Sequence, residues 1–156
     1  MRINISNTEM LLCRTFGVLR RSAAANNVTD RQMGKQDVWG IDIDGMVGEY
    51  CVARYLNVFP DFTVGIRSGG ADLISKDGNT IDVKSTRYKN GCLLATLKKE
   101  KDPCDIYILV IVDDSGVDIA GWVKSEDLFK DNNKKDHGHG IGYSLTQDQL
   151  NKFKRN

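Results

Sequence analysis

The sequence predicts a single α/β domain in which a central mixed β-sheet is flanked by helices. Two segments near the N-terminus have helical periodicity, and short β-rich segments separated by turn signals follow them. The run DIYILVIVDD, residues 105–114, is the most hydrophobic of the chain and is typical of a central strand buried on both faces. The 156 residues suffice for one compact domain with a core of its own.

The helical segments are bounded by capping residues. Helix 7–25 begins after Ser6 or at Asn7, and helix 44–58 takes Asp44 as its N-cap and ends before Pro60. Residues 26–40 form a polar connecting loop. A short helix at 125–130 follows the strands, and a last helix, 146–154, is capped by Thr146.

The strands are predicted from β-rich composition and from the turns between them. The Gly-Gly pair at 69–70 and the Lys-Asp-Gly-Asn run at 76–79 are strong turn signals. Segment 92–97 fits either a strand or a short helix, and residues 131–140 are predicted to be a mobile polar loop. The predicted strands are 62–68, 71–75, 80–86, 105–114 and 116–123.

Composition narrows the class of protein. The net charge is +1, so any nucleic-acid interface must come from local positive charge, and no apolar run reaches the roughly 20 residues that span a bilayer. The first ten residues lack a signal-peptide pattern, which predicts an intracellular, cytoplasmic protein. The four cysteines form no CxxC pair, so a zinc site built on thiolates is not expected, and they are interpreted as small, partly buried hydrophobes.

The hairpin GGADLISKDGNTIDVKSTRY, residues 69–88, carries charged residues where a core hairpin needs none. Because side chains alternate along a strand, Ile81 and Val83 are expected on one face and Asp82 and Lys84 on the other. Antiparallel pairing across the turn brings Asp72 near Asp82. Two converging carboxylates repel unless a cation or proton lies between them, and Mg²⁺ or Mn²⁺ prefers such oxygen ligands. Lys84 is then placed to orient a water or to stabilise charge on a phosphate.

The same residues have a structural interpretation. Asp82 and Lys84 form a solvated ion pair if their sheet face is exposed, and such a pair contributes little to stability. Glu49, in the helix upstream, is favourable near a helix N-terminus through the helix dipole alone.

Over residues 44 to about 123, the chain resembles the PD-(D/E)XK nuclease superfamily, which has the restriction-endonuclease-like fold. Among the members of that superfamily, it resembles the small phage and archaeal ones. The resemblance matches Asp72 and Asp82 to the two motif acids, Lys84 to the motif lysine and Glu49 to the acid of the first core helix. It departs from the motif at Ala71, where the pattern has proline. It implies a restriction-endonuclease-like core, in which Asp72, Asp82, Glu49 and the Val83 carbonyl hold Mg²⁺ or Mn²⁺ and Lys84 assists hydrolysis. A homodimer and a phage-encoded protein acting in a bacterial host are further expectations from the resemblance.

Residues around the hairpin are suited to phosphate contacts. Before Asp72, however, a simple hairpin turn is the preferred interpretation, and after Lys84 a polar strand end explains the residues equally well. Those predicted to bind nucleic acid are Arg67, Ser85, Thr86, Arg87 and Lys89. Two basic clusters, one on the first helix with Arg14, Arg20 and Arg21 and one on the last helix, are interpreted as solvated faces.

The function predicted from these residues is a metal-dependent deoxyribonuclease, an endonuclease that hydrolyses phosphodiester bonds in DNA. One alternative is a Holliday-junction resolvase of the same fold, although the near-neutral charge disfavours the wide basic face that it needs. Another is a catalytically silent module of that fold that binds nucleic acid or a protein. A structural α/β protein with solvated acids is the most distant interpretation.

Overall fold

The computed structural model describes residues 1–24, 38–65, 70–136, 138 and 140–153, and these residues form an α/β structure. In chain order the elements are β1 (Arg2–Asn4), α1 (Asn7–Ala24), α2 (Val38–Leu56), β2 (Leu73–Ile74), β3 (Thr80–Thr86), β4 (Leu93–Thr96), α3 (Leu97–Lys101), β5 (Ile106–Asp113), β6 (Gly116–Lys124), α4 (Ser125–Leu128), β7 (Lys134–Asp136) and β8 (Ile141–Leu145). Short 3₁₀ turns at Asp131–Asn133 and Gln147–Gln149 complete the description.

The predicted mixed sheet flanked by helices is confirmed. Five strands lie in the order β1-β6-β5-β3-β2, with β3 and β5 parallel and the other neighbours antiparallel. One face packs against α1 and α2, and the other packs against a second sheet, β4-β8-β7, together with α4. Strand β5 contributes buried residues to both cores, because helices cover one side of it and the second sheet covers the other.

The start of α2 corrects the capping prediction. The helix begins at Val38, so Asp44 lies inside it and is not its N-cap, and residues 38–40 are helical rather than part of a loop. Asp44 is 3% exposed, and both of its carboxylate oxygens accept hydrogen bonds from Arg87. This distant ion pair, rather than a local cap, accounts for the acid at this position. The predicted loop residues 26–37 lie outside the described residues.

The end of α2 also differs slightly from the prediction. The helix ends at Leu56, and Asn57 has a φ of 53°, the left-handed conformation that commonly terminates helices. Residues 62–64 of the predicted strand 62–68 form no strand, and residues 66–68 lie outside the described part of the chain. Phe62 instead packs against the rings of Phe16 and Phe59, so its apolar pattern reflects an aromatic cluster.

The ambiguous segment 92–97 contains a strand, β4, and the start of a helix, α3. Residues 131–140, predicted as a mobile loop, include the 3₁₀ turn and strand β7. The predicted strand 71–75 narrows to the two residues of β2.

The C-terminal helix predicted at 146–154 is wrong over the described residues. Strand β8 occupies the preceding segment, where it pairs with both β4 and β7. Thr146 does precede a turn, and its backbone N–H and hydroxyl both donate to Oε1 of Gln149 at 2.9 Å, but that turn is a single 3₁₀ turn. The chain then runs extended, and Asn151 exchanges two backbone hydrogen bonds with Trp122.

The free cysteines behave as the sequence predicts. Cys13, Cys51 and Cys104 are buried and none of the four forms a disulfide. Burial raises the pKa of Cys13 and that of Cys51 to about 12, so both thiols stay protonated at neutral pH. Within the described ranges, no helix combines the length and the apolar character that crossing a membrane requires.

Close approach of α2 to β3 and β5 depends on Gly48. A Cβ at this position would overlap Oγ of Ser85 and lie 2.9 Å from Cγ2 of Val110. We expect Gly48→Ala to lower the free energy of unfolding by about 1–3 kcal/mol, because the added methyl overpacks this contact. Urea unfolding measures the change.

Gly45, one turn earlier in α2, is the matched control. An added Cβ there meets nothing within 4 Å. Gly45→Ala is expected to stabilise the protein by about 0.5–1 kcal/mol through helix propensity alone. Equal effects of the two substitutions would contradict the close contact at Gly48.

Candidate active site

The β2–β3 hairpin places Asp72 beside the middle of β3. Leu73 pairs with Ile81, and the backbone N–H of Asp72 donates to the Ile81 carbonyl at 2.8 Å. Oδ2 of Asp72 accepts a hydrogen bond from the backbone N–H of Val83 at 2.7 Å. The predicted antiparallel pairing across the 76–79 turn is confirmed, and it fixes the Asp72 carboxylate against the residue between Asp82 and Lys84.

Asp82 is a buried carboxylate held by two ammonium groups. Its residue is 2% exposed, with Nζ of Lys84 2.6 Å from Oδ1 and Nζ of Lys99 2.7 Å from Oδ2. Ile81 and Val83 belong to the core on the helix side, so the predicted division of β3 into an apolar face and a charged face is confirmed. The pair is therefore not the solvated ion pair of the structural interpretation, because the carboxylate is withdrawn from water.

Lys99 is a site residue that the sequence analysis missed. Burial lowers its pKa, but the hydrogen bond and the charge of Asp82 outweigh this and raise its pKa above the usual value, which keeps the ammonium charged. It comes from α3, which follows β4 directly and carries three lysines in five residues. That lysine-rich helix was the available signal, but its proximity to β3 depends on the tertiary fold.

Glu49 lies on the helix side of β3. It forms an ion pair with Arg20 of α1 at 2.8 Å, in which both side chains are about one-tenth exposed. Arg20 also donates to the carbonyls of Asp61 and Thr63, so it joins both helices to the segment after α2. This Arg20 is thus directed inward and does not belong to the solvated basic face that the sequence predicted.

A cleft of about 410 Å³ brings Glu49 and Lys84 together. Residues from α1, α2 and β3 line it, among them Arg20, Val83 and Ser85. Asp82 does not line this cleft. Lys84 therefore connects two environments, since it lines the cleft with Glu49 and also contacts the Asp82 carboxylate.

The carboxylate oxygens of the hairpin are chemically suitable ligands for a hard divalent cation. Lys84 lies close to Oδ1 of Asp82 without hydrogen-bond geometry, so this buried oxygen accepts no hydrogen bond from the described residues. Asp72 and Asp82 supply carboxylate oxygens of the kind that Mg²⁺ and Mn²⁺ prefer. In the described part of the chain, no three His, Cys, Asp or Glu side chains converge into a ready metal cluster.

The residues predicted to bind nucleic acid differ in their surroundings: some are exposed, and others already take part in ion pairs within the protein. Lys89 is exposed, and its carbonyl accepts a hydrogen bond from Gln147. Arg87 pairs with Asp44 and with Asp114, and these pairs raise its pKa. Arg67 lies outside the described residues.

The two hydroxyl residues of the same strand also differ in their surroundings. Oγ of Ser85 is buried next to Gly48 and has no hydrogen-bond partner among the described residues. Oγ1 of Thr86 accepts from the backbone N–H of Tyr88 at 3.2 Å. Ser85 is therefore turned towards α2, whereas Thr86 and Lys89 lie where the strand leaves the sheet.

No known family model matches the chain, and no curated protein is significantly similar to it.

Proposed function

We propose that the chain is a metal-dependent endonuclease with a restriction-endonuclease-like core that hydrolyses phosphodiester bonds in DNA. The observation that supports it best is the meeting of Asp72, Asp82 and Lys84 around one backbone unit of β3, with Asp72 bonded to Val83 N–H and Lys84 2.6 Å from Asp82. A buried carboxylate beside a second acid and a lysine is costly to maintain for stability alone. The same three groups suit phosphodiester hydrolysis.

The proposal assigns a role to each residue. Asp72, Asp82 and the Val83 carbonyl would hold Mg²⁺ or Mn²⁺, and Glu49 would supply a further acid from the helix side of the cleft that Lys84 also lines. The bound cation supplies Lewis-acid activation of water and of the phosphoryl oxygen. Lys84 orients the attacking water and stabilises negative charge on the phosphate. Lys99, on the second oxygen of Asp82, positions that carboxylate.

DNA is proposed to approach where β3 leaves the sheet. Thr86 and Lys89 lie at this end, and Lys89 is exposed. A lysine ammonium and a hydroxyl contact backbone phosphates without reading sequence, so weak sequence specificity is expected. Arg87 is better explained by its pairs with Asp44 and Asp114 than by a phosphate contact.

A cleavage assay tests the proposal. Supercoiled plasmid, linear duplex, single-stranded DNA and a four-way junction are incubated with the protein in Mg²⁺, in Mn²⁺ and in chelator. We expect cutting only with metal, and we expect Asp82→Asn to lose it. Because this substitution leaves Lys84 and Lys99 without their carboxylate partner, it should also lower the unfolding temperature, so cutting is measured well below that temperature. Asp77→Asn, at an exposed acid in the turn of the same hairpin, is the matched control and should cut like the unaltered protein.

Each other outcome has its own meaning. Cutting of the junction in preference to plain duplex identifies the resolvase alternative. Binding of DNA without cutting under any metal overturns the enzyme and leaves the silent binding module. Cutting that survives Asp82→Asn overturns the assignment of the site.

A further inference from the structure

The outward face of α1 is apolar. Leu11, Leu12, Val18 and Leu19 are each exposed, between 38% and 65%. All residues of α1 are described, and among its exposed positions Arg14 is the one charged residue. A helix on the surface of a globular protein normally places its charged residues on that face, so this surface departs from the usual pattern.

The other side of α1 is already occupied by its own fold. Met10, Cys13 and Gly17 are buried, and a Cβ at Gly17 would lie 2.7 Å from Cα of Ile43 in α2. The helix therefore cannot rotate its outer leucines inward without breaking this close contact. Within the described part of the chain, the outer face therefore remains exposed and can meet a second surface.

The apolar residues are arranged symmetrically about Thr15. Leu11 and Leu19 lie four residues before and after it, and Leu12 and Val18 lie three residues before and after it. Two copies of α1 that run antiparallel about a two-fold axis at Thr15 place Leu11 of each against Leu19 of the other. Leu12 then faces Val18, and every apolar residue meets an apolar one, as an isologous interface requires.

Charge and size favour the antiparallel arrangement. Parallel pairing would align the two helix dipoles, whereas antiparallel pairing sets them in opposition. Arg14 lies at the edge of the apolar face and is exposed, so its guanidinium stays in water in this arrangement. Thr15 is small, and its hydroxyl is bonded to the Leu11 carbonyl at 2.9 Å, so it permits close approach at the axis.

The area available is that of a weak dimer. From Thr8 to Ser22 the helix rises about 21 Å, and a contact about 10 Å wide covers on the order of 200 Å² of projected helix face. The accessible surface buried on both copies together exceeds twice this projected area, because side chains protrude from the helix, but it does not exceed the roughly 1,000 Å² that marks the lower limit for specific interfaces. Self-association is therefore expected at micromolar concentrations rather than at nanomolar ones.

We propose that α1 forms a two-fold symmetric homodimer in which two copies pack antiparallel with Thr15 on the axis. The proposal does not depend on the nuclease function, since it uses none of the residues of the candidate active site. It names the surface through which a dimer forms, which the sequence left open.

Sedimentation velocity between about 5 and about 500 µM protein tests the surface. The unaltered chain is expected to show a monomer–dimer equilibrium, and Leu11→Glu is expected to raise the dissociation constant at least about 10-fold. Ile141→Glu, at a similarly exposed apolar residue of β8, is the matched control and should leave it unchanged. A monomer throughout the range, or equal dimerisation of Leu11→Glu, overturns the proposal.

Cysteine cross-linking tests the register. Thr15→Cys should give a disulfide-linked dimer under mild oxidation, because the two new thiols meet at the axis. Ser22→Cys alone should not, because two such residues lie at opposite ends of the interface, yet a mixture of the Ser22→Cys and Thr8→Cys chains should link. Efficient linking of Ser22→Cys to itself would overturn the antiparallel arrangement.

Discussion

Replacing Lys84 by methionine is expected to lower metal-dependent DNA cleavage at least about 100-fold, the usual effect of removing a group that stabilises charge in the transition state. The substitution keeps the length of the aliphatic stem and removes the ammonium that lines the cleft and lies 2.6 Å from Asp82. Lys84 is exposed enough, at 31% of its side chain, that the fold should tolerate the change. Single-turnover cleavage with saturating enzyme measures the chemical step directly.

Substitutions of two lysines in α3 distinguish a specific role of Lys84 from a general effect of positive charge near the site. Lys98→Met changes an exposed lysine of the same helix as Lys99 and should leave the rate unchanged. Lys99→Met should cause a smaller loss than Lys84→Met and should lower the half-saturating metal concentration, because one cation that competes for Asp82 is removed. Cleavage by Lys84→Met at the original rate would refute its catalytic role, whatever Lys99→Met does.

Replacing Arg87 by methionine is expected to lower the free energy of unfolding by about 2–3 kcal/mol. Asp44 is 3% exposed and its two oxygens lie 2.8 and 2.9 Å from the guanidinium nitrogens, so the substitution removes a bidentate partner from a buried carboxylate. The guanidinium is partly exposed, at 45%, which places the expected loss below that of a fully buried pair. Urea unfolding at neutral pH measures it.

The second partner of Arg87 provides the control for this pair. Asp114 is 80% exposed, and Asp114→Asn should change stability by less than about 1 kcal/mol. The double variant Asp44→Asn with Arg87→Met should recover part of the loss, because the carboxylate that lost its partner is then neutral. A strong fall in DNA affinity for Arg87→Met with unchanged stability would instead favour the phosphate contact predicted from the sequence.

The hairpin and the central strand could be predicted because their signals are local. The bounds of β3, Thr80–Thr86, follow from the turn before it and from alternation of apolar and polar residues, and α1 follows from its periodicity. Alternation also placed Asp82 and Lys84 on one face, which the contact between them confirms. These features depend on residues no more than a few positions apart.

The C-terminal segment shows where a local pattern misleads. The spacing of residues 146–154 fits a helix, and Thr146 has the chemistry of a cap. Asn151 instead exchanges two backbone hydrogen bonds with Trp122, and a helix over this segment would forgo them. Trp122 lies on β6, far from Asn151 in the sequence, so a local window does not contain this partner.

By itself, the sequence determined the α/β class with its mixed sheet, the hairpin and the three polar residues on it, because periodicity and turn chemistry act between neighbouring residues. Only the tertiary structure decided what those residues contact. It withdrew Asp82 from water between Lys84 and Lys99, paired Asp44 with Arg87 and Glu49 with Arg20, and covered one face of the sheet with a second sheet. The physical reason is that a buried charge must find an opposite charge, and the fold alone determines which one lies within reach.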